Sequence, residues 1–506
     1  MKIVKNGPFS WSNEHDTFTQ PVKDLYDLAN EHLSRTFGTT LDIYNDTTKG
    51  IQQIIKKAIQ SDTPLRALGG SWSFSPIAAS SGILLNTKPL NIRFSITESS
   101  TAAAYTGEAS RLCLAQCGNR VWELNQYLRD HDLSLSACGA SNGQTIAGAI
   151  ATGTHGGAID FGAIQEAVVG LHIITGPDSH IWLERASYPV VASSFASKLG
   201  ATLMRDDDAF NAALVGIGSF GFVHGVMIEA EDDYLLECYM RRIPYDDALI
   251  QLLTSMNFSH PGLPFPGERP FHFQVMLNPY DMEHGAYMTT MYKRPMRDYD
   301  PPVAEGGKAG PGDDAPCFIG KITGAVPSLV PVLVNKILAN SLELFEAKYG
   351  RLGEIFSNTT LQGKVSSAAV GIPISAVGKV MTAMLEVNET HGPFAGLFAF
   401  RFVKASSATL AFTRFAPITC VLELDGVLSP ATQRFYEAAW NKLEQLNIPF
   451  TFHWGKMSIL TPERLQRMYG DSLNKFLTAR NSIIDPAMVR IFGNDIMRQW
   501  GIDPAS

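Results

Sequence analysis

The sequence predicts an α+β fold with two domains, and three observations support this prediction. Short strand-like runs alternate with helical segments over residues 1–236. A second set of extended and helical segments follows over residues 237–446. The chain has 506 residues, of which 45% are hydrophobic and 18% charged, so it can fill more than one core. We expect the remaining segment, 447–506, to return to the first domain, because its apolar residues need a surface.

Hydrophobic periodicity gives the elements in order. In the first domain it predicts helices at 51–60 and 119–131 and extended segments at 64–68, 82–85, 168–175 and 222–230. In the second domain it predicts extended segments at 272–277, 394–403 and 419–424 and a helix at 374–387. A helical tail is predicted from Pro462 onward.

An insertion near residues 299–346 interrupts the second domain. Its first part, 301–316, is rich in Pro, Gly and Asp and predicts an exposed, mobile loop. Its apolar run, 326–338, is broken by Pro327 and Pro331 and is shorter than the roughly 20 residues that a membrane span needs. We interpret the run as a buried or lid helix, although a surface for an apolar substrate or a membrane face is an alternative.

Composition and charge indicate which partners and which cellular compartment to expect. A net charge of −8 and the lack of a basic run argue against nucleic acid. The N-terminus lacks an apolar core of the length that a secretory signal requires, so the cytoplasm is the expected compartment. The cysteines show neither CxxC pairs nor metal-type spacing, which predicts free thiols and no metal site; they are Cys113, Cys117, Cys138, Cys238, Cys317 and Cys420. Nothing indicates the oligomeric state.

Two segments rich in small residues indicate a cofactor pocket. Residues 139–157 read GASNGQTIAGAIATGTHGG, and residues 66–75 read RALGGSWSFS. Glycines let bare amides approach a ligand, and a Gly-Gly-Ser turn can bind a pyrophosphate without a basic side chain. Together the segments predict two halves of a pocket for an elongated, phosphate-bearing cofactor.

Two shorter motifs offer alternatives. GIGSFG at 216–221 fits the dinucleotide fingerprint, but a helical segment precedes it and a strand-like run follows, which reverses the Rossmann order. GASNG at 139–143 fits the nucleophile elbow of a serine hydrolase, with Ser141 as the nucleophile. The glycine-rich tract continues well past this turn, which an elbow does not require.

The same segments resemble the FAD pocket of the vanillyl-alcohol-oxidase-type, or PCMH-type, flavoproteins, and in particular their aldonolactone and alditol oxidases. The resemblance extends to residues 167–184 and 214–231, to HWGK at 453–456, and to spaced positions of the closing segment. Those positions are Phe476, Arg480, Asp485, Pro486, Phe492 and Asn494. The resemblance is weak between residues 237 and 394.

This resemblance implies a two-subdomain FAD-binding domain at 1–236 and an α+β substrate domain, or cap, with an antiparallel sheet at 237–446. It also implies oxidation of a CH–OH group by hydride transfer to flavin N5, with oxygen or another acceptor reoxidising the flavin. The substrate would be a sugar, lactone, polyol or more apolar alcohol. The cofactor-binding residues that it implies are Gly69, Gly70, Ser71, Trp72, Ser73, Ser75, Ser141, Gln144, Thr145, Ala147, Gly148, Thr152, His155, Gly156, Gly221 and Val223.

The resemblance assigns the catalytic roles to Lys456, Arg401 and His453. Lys456 would stabilise negative charge on the flavin, and His453 would position Lys456 or the substrate hydroxyl. The family has a Glu-x-Arg pair, whereas this chain has Ala399 before Arg401. Because phenylalanines 398, 400 and 402 flank Arg401, we expect an apolar pocket there.

A second departure concerns the flavin linkage. Many relatives attach FAD through a histidine in the pyrophosphate loop, but Trp72 stands at that position and an indole cannot form the bond. Noncovalent FAD is therefore predicted, with a linkage through Cys138 as the alternative. Besides an active oxidoreductase, a flavin-binding relative with altered chemistry and the serine hydrolase stay open at this point.

Overall fold

The computed structural model describes residues 1–31, 39–302, 310–313, 315, 319, 327–357 and 364–503. The elements of the first part of the chain are β1 Lys2–Asn6, β2 Phe9–Ser12, β3 Thr19–Val22, β4 Asp24–Ala29, α1 Thr40–Gln60, β5 Leu65–Leu68, β6 Ile83–Asn86, β7 Arg93–Ser95, β8 Leu112–Gln116, α2 Val121–Arg129, β9 Leu133–Ser134, α3 Ile146–Thr152, β10 Val168–Ile174, β11 His180–Glu184, α4 Ser193–Leu199, β12 Thr202–Arg205, α5 Asp207–Leu214, β13 Phe222–Glu229 and β14 Glu231–Asp232.

The elements that follow are β15 Leu235–Ile243, α6 Asp247–Ser255, β16 His272–Leu277, β17 Ala286–Arg294, α7 Val330–Ser341, β18 Phe345–Arg351, α8 Leu352–Ile355, β19 Val365–Pro373, α9 Val377–His391, β20 Gly396–Lys404, β21 Ile418–Val427, α10 Pro430–Gln445, β22 Thr451–Phe452, α11 Pro462–Tyr469, α12 Asp471–Ile483, α13 Pro486–Phe492 and α14 Asp495–Gln499.

Two sheets organise the N-terminal region. One has four strands in the order β1-β4-β6-β5, and the other has six in the order β12-β11-β10-β13-β8-β7. The long helix α1 begins with a capping box, in which the Thr39 side chain accepts from the Asp42 amide. Its buried isoleucines join the core of the first sheet together with apolar residues of α13.

The third sheet has eight strands in the order β18-β15-β17-β16-β20-β21-β19-β22, and all of its pairings are antiparallel. The predicted α+β class and the predicted antiparallel sheet are confirmed. The division at residues 236 and 446 stays a prediction.

The last helices pack on the N-terminal region through polar contacts. Arg66 Nη1 donates to the Phe492 carbonyl at 2.6 Å. Asn494 Nδ2 donates to the carbonyls of Ile77 and Ala79 at 3.0 and 3.1 Å. The phenyl rings of Phe220 and Phe476 meet edge to face, 5.2 Å apart.

The apolar run of the insertion forms α7, whose Val334 and Leu338 are buried while Val332 is 64% exposed. Most of the predicted mobile loop, 301–316, lies outside the described residues. Across the part of the chain that the structure describes, no helix has the length and apolar character needed to cross a bilayer.

Candidate active site

A deep cleft lies between the N-terminal region and the third sheet. The loop after β5, helix α3 with the loop before it, and the turn before β13 form one wall. Strands β20 and β21 and the turn after β22 contribute the other. The predicted site residues that line it are Gly69, Gly70, Ser71, Trp72, Ser73, Ser75, Ser141, Gln144, Thr145, Ala147, Gly148, Thr152, His155, Gly221, Val223, Arg401, His453 and Lys456.

The loop after β5, residues 69–75, is called the phosphate loop below. Ser71 adopts a left-handed conformation with φ of 59°, which turns the chain sharply behind Gly70. The amides of residues 70–73 donate to no acceptor in the described part of the chain. Successive amides without protein partners form a binding site for an anion, so the loop can bind a pyrophosphate.

Ser75 and Trp72 of this loop both contact residues outside it. The Ser75 hydroxyl donates to the Trp454 carbonyl at 2.7 Å, so its proton is not available to a phosphate although Ser75 borders the cleft. Trp72 meets the His15 ring edge to face at 5.6 Å, and His15 stacks on Phe74 at 3.8 Å. The β2–β3 hairpin, which carries His15, therefore covers the loop.

The part of the first wall that α3 forms, on the other side of the phosphate loop, is built from small residues. A Cβ on Gly69 would lie 2.2 Å from Thr145 Oγ1, so the phosphate loop and the start of α3 touch. A Cβ on Gly148 would meet only Thr145 Oγ1, at 3.2 Å, which leaves the cleft open at that point. These residues match the expectation that the tract leaves room for a ring system.

Gly156 and Cys138, which the sequence predicted beside the cofactor, do not line the cleft. Gly156 does not line the cleft; a Cβ there would lie 2.4 Å from the Cys138 carbonyl oxygen, so tight packing explains this glycine. Cys138 is buried in the core rather than along the cleft. Burial raises the pKa of its thiol to about 12, which disfavours the thiolate that a covalent linkage would need.

The residues that line the cleft fit FAD. Gln144 Oε1 and His15 Nδ1 are buried without a hydrogen-bond partner in the described structure, although both side chains border the cleft. Buried polar atoms normally have partners, so a polar ligand is expected to supply them. The unpaired amides of the phosphate loop and the small residues of α3 complete a site for a long cofactor with a diphosphate.

The second wall of the cleft, formed by β20, β21 and the turn after β22, is called the cap wall below. It carries a buried ionic cluster, of which the sequence predicted Arg401 and Lys456 but not Glu423. Ala399 and Glu423 are direct cross-strand partners, so the neighbouring strand supplies the acid that the Glu-x-Arg position lacks. Glu423 Oε2 lies 3.2 Å from Arg401 Nη1, and Glu423 Oε1 lies 3.5 Å from Lys456 Nζ. Arg401 and Glu423 are only 2% and 1% exposed.

A signal for Glu423 was present in the sequence. Glu423 and Asp425 are the acids of an otherwise apolar strand, and their spacing of two places them on the same face. Burial alone would raise the pKa of Glu423, but Arg401 and Lys456 lower it, so the group is a carboxylate. His15, by contrast, lies in a hairpin that no motif identifies.

The expected apolar pocket around Arg401 is wrong. Successive side chains of a strand point to opposite faces, so the phenylalanines at 398, 400 and 402 face away from Arg401. Phe398 stacks with Phe435 of α10, and Phe402 stacks with Phe273 of β16. Arg401 instead donates from Nε to Gln274 Oε1 at 2.8 Å, in polar surroundings.

The turn after β22 holds the predicted HWGK residues. His453 Nδ1 accepts from the Gly455 amide at 2.9 Å, and the His453 carbonyl accepts from the Lys456 amide at 3.1 Å. Lys456 Nζ donates to Ser367 Oγ at 2.7 Å, and the Ser367 hydroxyl bonds to Asp425. His453 thus fixes the turn from which Lys456 projects.

His155 completes the cluster. Its Nδ1 lies 3.0 Å from the Gly156 carbonyl, so the proton of the neutral ring is on Nδ1, and Nε2 lies 3.7 Å from Glu423 Oε1. Burial lowers the pKa of His155 to about 4, and burial also lowers the pKa of His453 well below its usual value. Both rings are neutral near pH 7.

The two alternative motifs have structural explanations. The GIGSFG segment follows α5 and precedes β13, and Arg66 donates to its Ile217 and Gly218 carbonyls at 2.9 and 2.8 Å, as a packed turn does. Ser141 lies in the loop between β9 and α3 and has no hydrogen bond to any described histidine. The geometry of a hydrolase triad is therefore not seen among the described residues.

Comparisons with known proteins agree with this geometry. A family model described as FAD binding domain matches residues 41–183. A putative D-arabinono-1,4-lactone oxidase of Neurospora crassa is 27% identical over 41% of this chain, and the match spans 36% of that relative's length. An L-gulono-1,4-lactone dehydrogenase of Mycobacterium tuberculosis is 21% identical over 89% of this chain and 93% of its own.

Among solved structures, cholesterol oxidase from B. sterolicum superposes with a TM-score of 0.70 at 15% identity, covering 98% of this chain and 97% of that one. A solvent-stable cholesterol oxidase gives a TM-score of 0.68 with 97% of each chain covered. At this identity the likeness concerns the fold. The predicted resemblance is confirmed: residues 41–183 match an FAD binding domain, the chain has the fold of cholesterol oxidase, and it has sequence relatives named as lactone oxidases and dehydrogenases.

Proposed function

We propose that this protein binds FAD noncovalently and oxidises a CH–OH group of a small molecule, such as a sugar, a lactone, a polyol or a more apolar alcohol. One observation carries the proposal. The Arg401–Glu423–Lys456 cluster borders the same cleft as the unpaired amides of the phosphate loop. A cofactor held by the loop would thus meet a charged site at the cap wall.

When bound, FAD supplies the acceptor for the hydride that leaves the substrate carbon. The chain's own residues must then take the hydroxyl proton and stabilise charge. His155 Nε2 is the proposed proton acceptor, because Nδ1 carries the proton of the neutral ring. Glu423 lies 3.7 Å from Nε2 and stabilises the imidazolium that forms.

Lys456 and Arg401 provide the positive charge of the site. Burial lowers the local dielectric response, so each cation stabilises negative charge that develops at the cleft more strongly than it would in water. Glu423 holds both cations at 3.2–3.5 Å and so orients them before substrate arrives. The role of Lys456 and Arg401 is therefore electrostatic, while His453 is a positioning residue for Lys456.

The noncovalent state is proposed because neither candidate for attachment fits. Trp72 lacks the basic ring nitrogen through which a histidine attaches flavin, and the Cys138 thiol is buried away from the cleft. Precipitating the protein with acid tests this directly. A colourless pellet and a yellow supernatant are expected, whereas a yellow pellet would show a covalent linkage.

Anaerobic reduction tests the activity. The purified protein is expected to show flavin absorption bands that a substrate bleaches when sugars, lactones, polyols and apolar alcohols, including steroids, are tried in turn. Bands that no member of the panel bleaches would indicate a flavin-binding relative with altered chemistry. A colourless protein that FAD does not restore, and that a fluorophosphonate labels at Ser141, would overturn the proposal in favour of a hydrolase.

A further inference from the structure

A second cavity, of about 660 Å³, lies beside the cofactor cleft. It is bounded by the phosphate loop, by α2 and by residues 351–357. Gly70 and Trp72 border both spaces, whereas Arg401, Glu423 and Lys456 border the cleft alone. A molecule in the second cavity would therefore contact the cofactor loop without reaching the residues proposed for substrate oxidation.

The charges of this cavity favour an anion. Lys88 and Arg120 line it, and neither forms an ion pair with a carboxylate of the described residues. Two acids that line the cavity already have partners in the protein. Asp233 forms an ion pair with Arg351 at 3.0 Å, and Glu354 accepts a hydrogen bond from the Arg351 amide at 2.9 Å. Two cations thus stay available to a ligand.

The remaining acid, Glu14, is exposed and lies on the hairpin that covers the phosphate loop. Arg129 also lines the cavity, and its pairing with Asp130 at 3.5 Å is on the surface. Exposed charges contribute little to binding, so Glu14 and Arg129 change the attraction of the cavity for an anion only slightly.

The aromatic lining of the cavity favours a flat ligand. The indoles of Trp72 and Trp122 both border the cavity, and Trp122 is 36% exposed, so its ring is accessible to a ligand. Asn125 also lines it, and its Nδ2 is buried without an acceptor. This unpaired amide donor suits the carbonyl or anionic oxygen of a planar ring, and the two indoles offer aromatic surface to the ring itself.

We propose that the second cavity binds a planar, negatively charged electron acceptor of the quinone or indophenol class, and that electrons reach it past Trp72. This proposal rests on the proposed function. Oxidation of the substrate CH–OH to a carbonyl releases two electrons and two protons. The acceptor takes up two electrons and two protons to become its hydroquinone-type form, and no other bond is made or broken.

The test uses the flavin-loaded protein and the double variant Lys88→Gln/Arg120→Gln. Binding is measured first, by equilibrium dialysis with naphthalene-2-sulfonate, a flat anion without redox activity. Turnover with the anionic dye 2,6-dichlorophenolindophenol follows. We expect the Kd for the sulfonate and the KM for the dye to rise about five- to tenfold, while anaerobic flavin reduction keeps its rate.

The matched control is Lys2→Gln/Lys49→Gln, which removes the same charge from exposed positions that do not border the cavity. It should leave both constants unchanged. Equal constants in wild type and in the Lys88/Arg120 variant would overturn the inference. If no alcohol reduces the flavin, the proposed function fails instead, and sulfonate binding still decides whether the cavity takes a flat anion.

Discussion

The two walls of the cofactor cleft are made in different ways. The wall with the phosphate loop consists of backbone amides and small residues that are neighbours in sequence, such as Gly69, Gly70 and Ser71. The cap wall consists of charged side chains that β20, β21 and the turn after β22 bring together. One wall offers room and amides, and the other offers charge.

This difference determines how each wall should respond to substitution. The wall that contains the phosphate loop is called the loop wall. A methyl group added to it takes space that the cofactor needs, so the effect should appear in FAD binding. A charge removed from the cap wall takes one counter-charge away from its buried partners, so the effect should appear in catalysis and stability. Four experiments address this contrast, from the largest expected effect to the smallest.

Gly70→Ala should largely abolish FAD binding. A Cβ at Gly70 would lie 2.6 Å from the Gly143 carbonyl oxygen and 2.8 Å from Trp72 Cδ1, so the loop and the α3 tract would be forced apart. We expect affinity for FAD to fall at least about a thousandfold, or about 4 kcal/mol. Flavin absorbance per protein after gel filtration measures this.

Gly7→Ala is the control, since a Cβ at that position meets nothing within 4 Å. It should retain wild-type flavin content. Full flavin occupancy in Gly70→Ala would show that the loop wall does not bind the cofactor through its close-packed backbone.

Glu423→Ala should slow anaerobic flavin reduction on the order of a hundredfold and lower stability by about 3–5 kcal/mol, because Arg401 and Lys456 lose their buried carboxylate. FAD content should change little. The rescue variant Ala399→Glu/Glu423→Ala returns a carboxylate to the directly opposite strand position. Partial recovery of the rate in stopped-flow reduction is expected.

Ala399→Glu alone serves as the control, because it adds a second buried acid and should impair rather than improve reduction. If Glu423→Ala reduces its flavin at the wild-type rate, the cap wall does not act through this carboxylate.

Stability should fall as the pH drops from about 6.5 towards 5. Burial lowers the pKa of His15, His224 and His272 to about 3 and that of His155 to about 4. A lowered folded-state pKa means that the unfolded chain binds the extra protons in this range, so stability is fully present above about pH 6.5 and is lost below it. Each histidine contributes up to about 1.4 kcal/mol per pH unit.

Thermal unfolding followed by circular dichroism between pH 5 and 8 measures this slope. His224→Gln should make it shallower, since that ring lies in the sheet core and contacts Thr47, Thr48 and Gln116 rather than the cleft. A midpoint that is constant from pH 8 to pH 5 would contradict the prediction.

Ser367→Ala should have the smallest effect. The variant removes the hydroxyl that links Lys456 to Asp425, and such a hydrogen bond contributes about 1.5–3 kcal/mol when a charged group takes part. We expect flavin reduction to slow about tenfold at unchanged FAD content. Ser366→Ala is the control, because the Ser366 hydroxyl is buried without a hydrogen-bond partner in the described structure. Equal rates of flavin reduction in the two variants would show that the Ser367 hydroxyl has no role in the reaction.

The same contrast explains what could be predicted from the sequence. The loop wall was predictable because Gly70, Ser71 and Gly148 act through small size and backbone conformation, which are local properties. Gly156 was assigned wrongly to the cleft because a glycine required by tight packing looks the same in sequence as one beside a ligand.

The cap wall was less predictable, because its pairs depend on strand register. Nothing local shows that Glu423 faces Ala399 across two strands. The error about the phenylalanines has a different origin: the period of two in β20 already places Phe400 on the face opposite Arg401, and neighbours in sequence were read as neighbours in space. His15 reaches the cleft through a hairpin that carries no motif.

The contacts between Arg66 and Phe492, and between Asn494 and Ile77, join positions more than 400 residues apart. A growing chain at the ribosome cannot make them until α13 has emerged. These contacts of β5 and of the loop that follows it therefore form only after α13 has been synthesised, and we expect FAD to load after that point rather than onto the nascent N-terminal region.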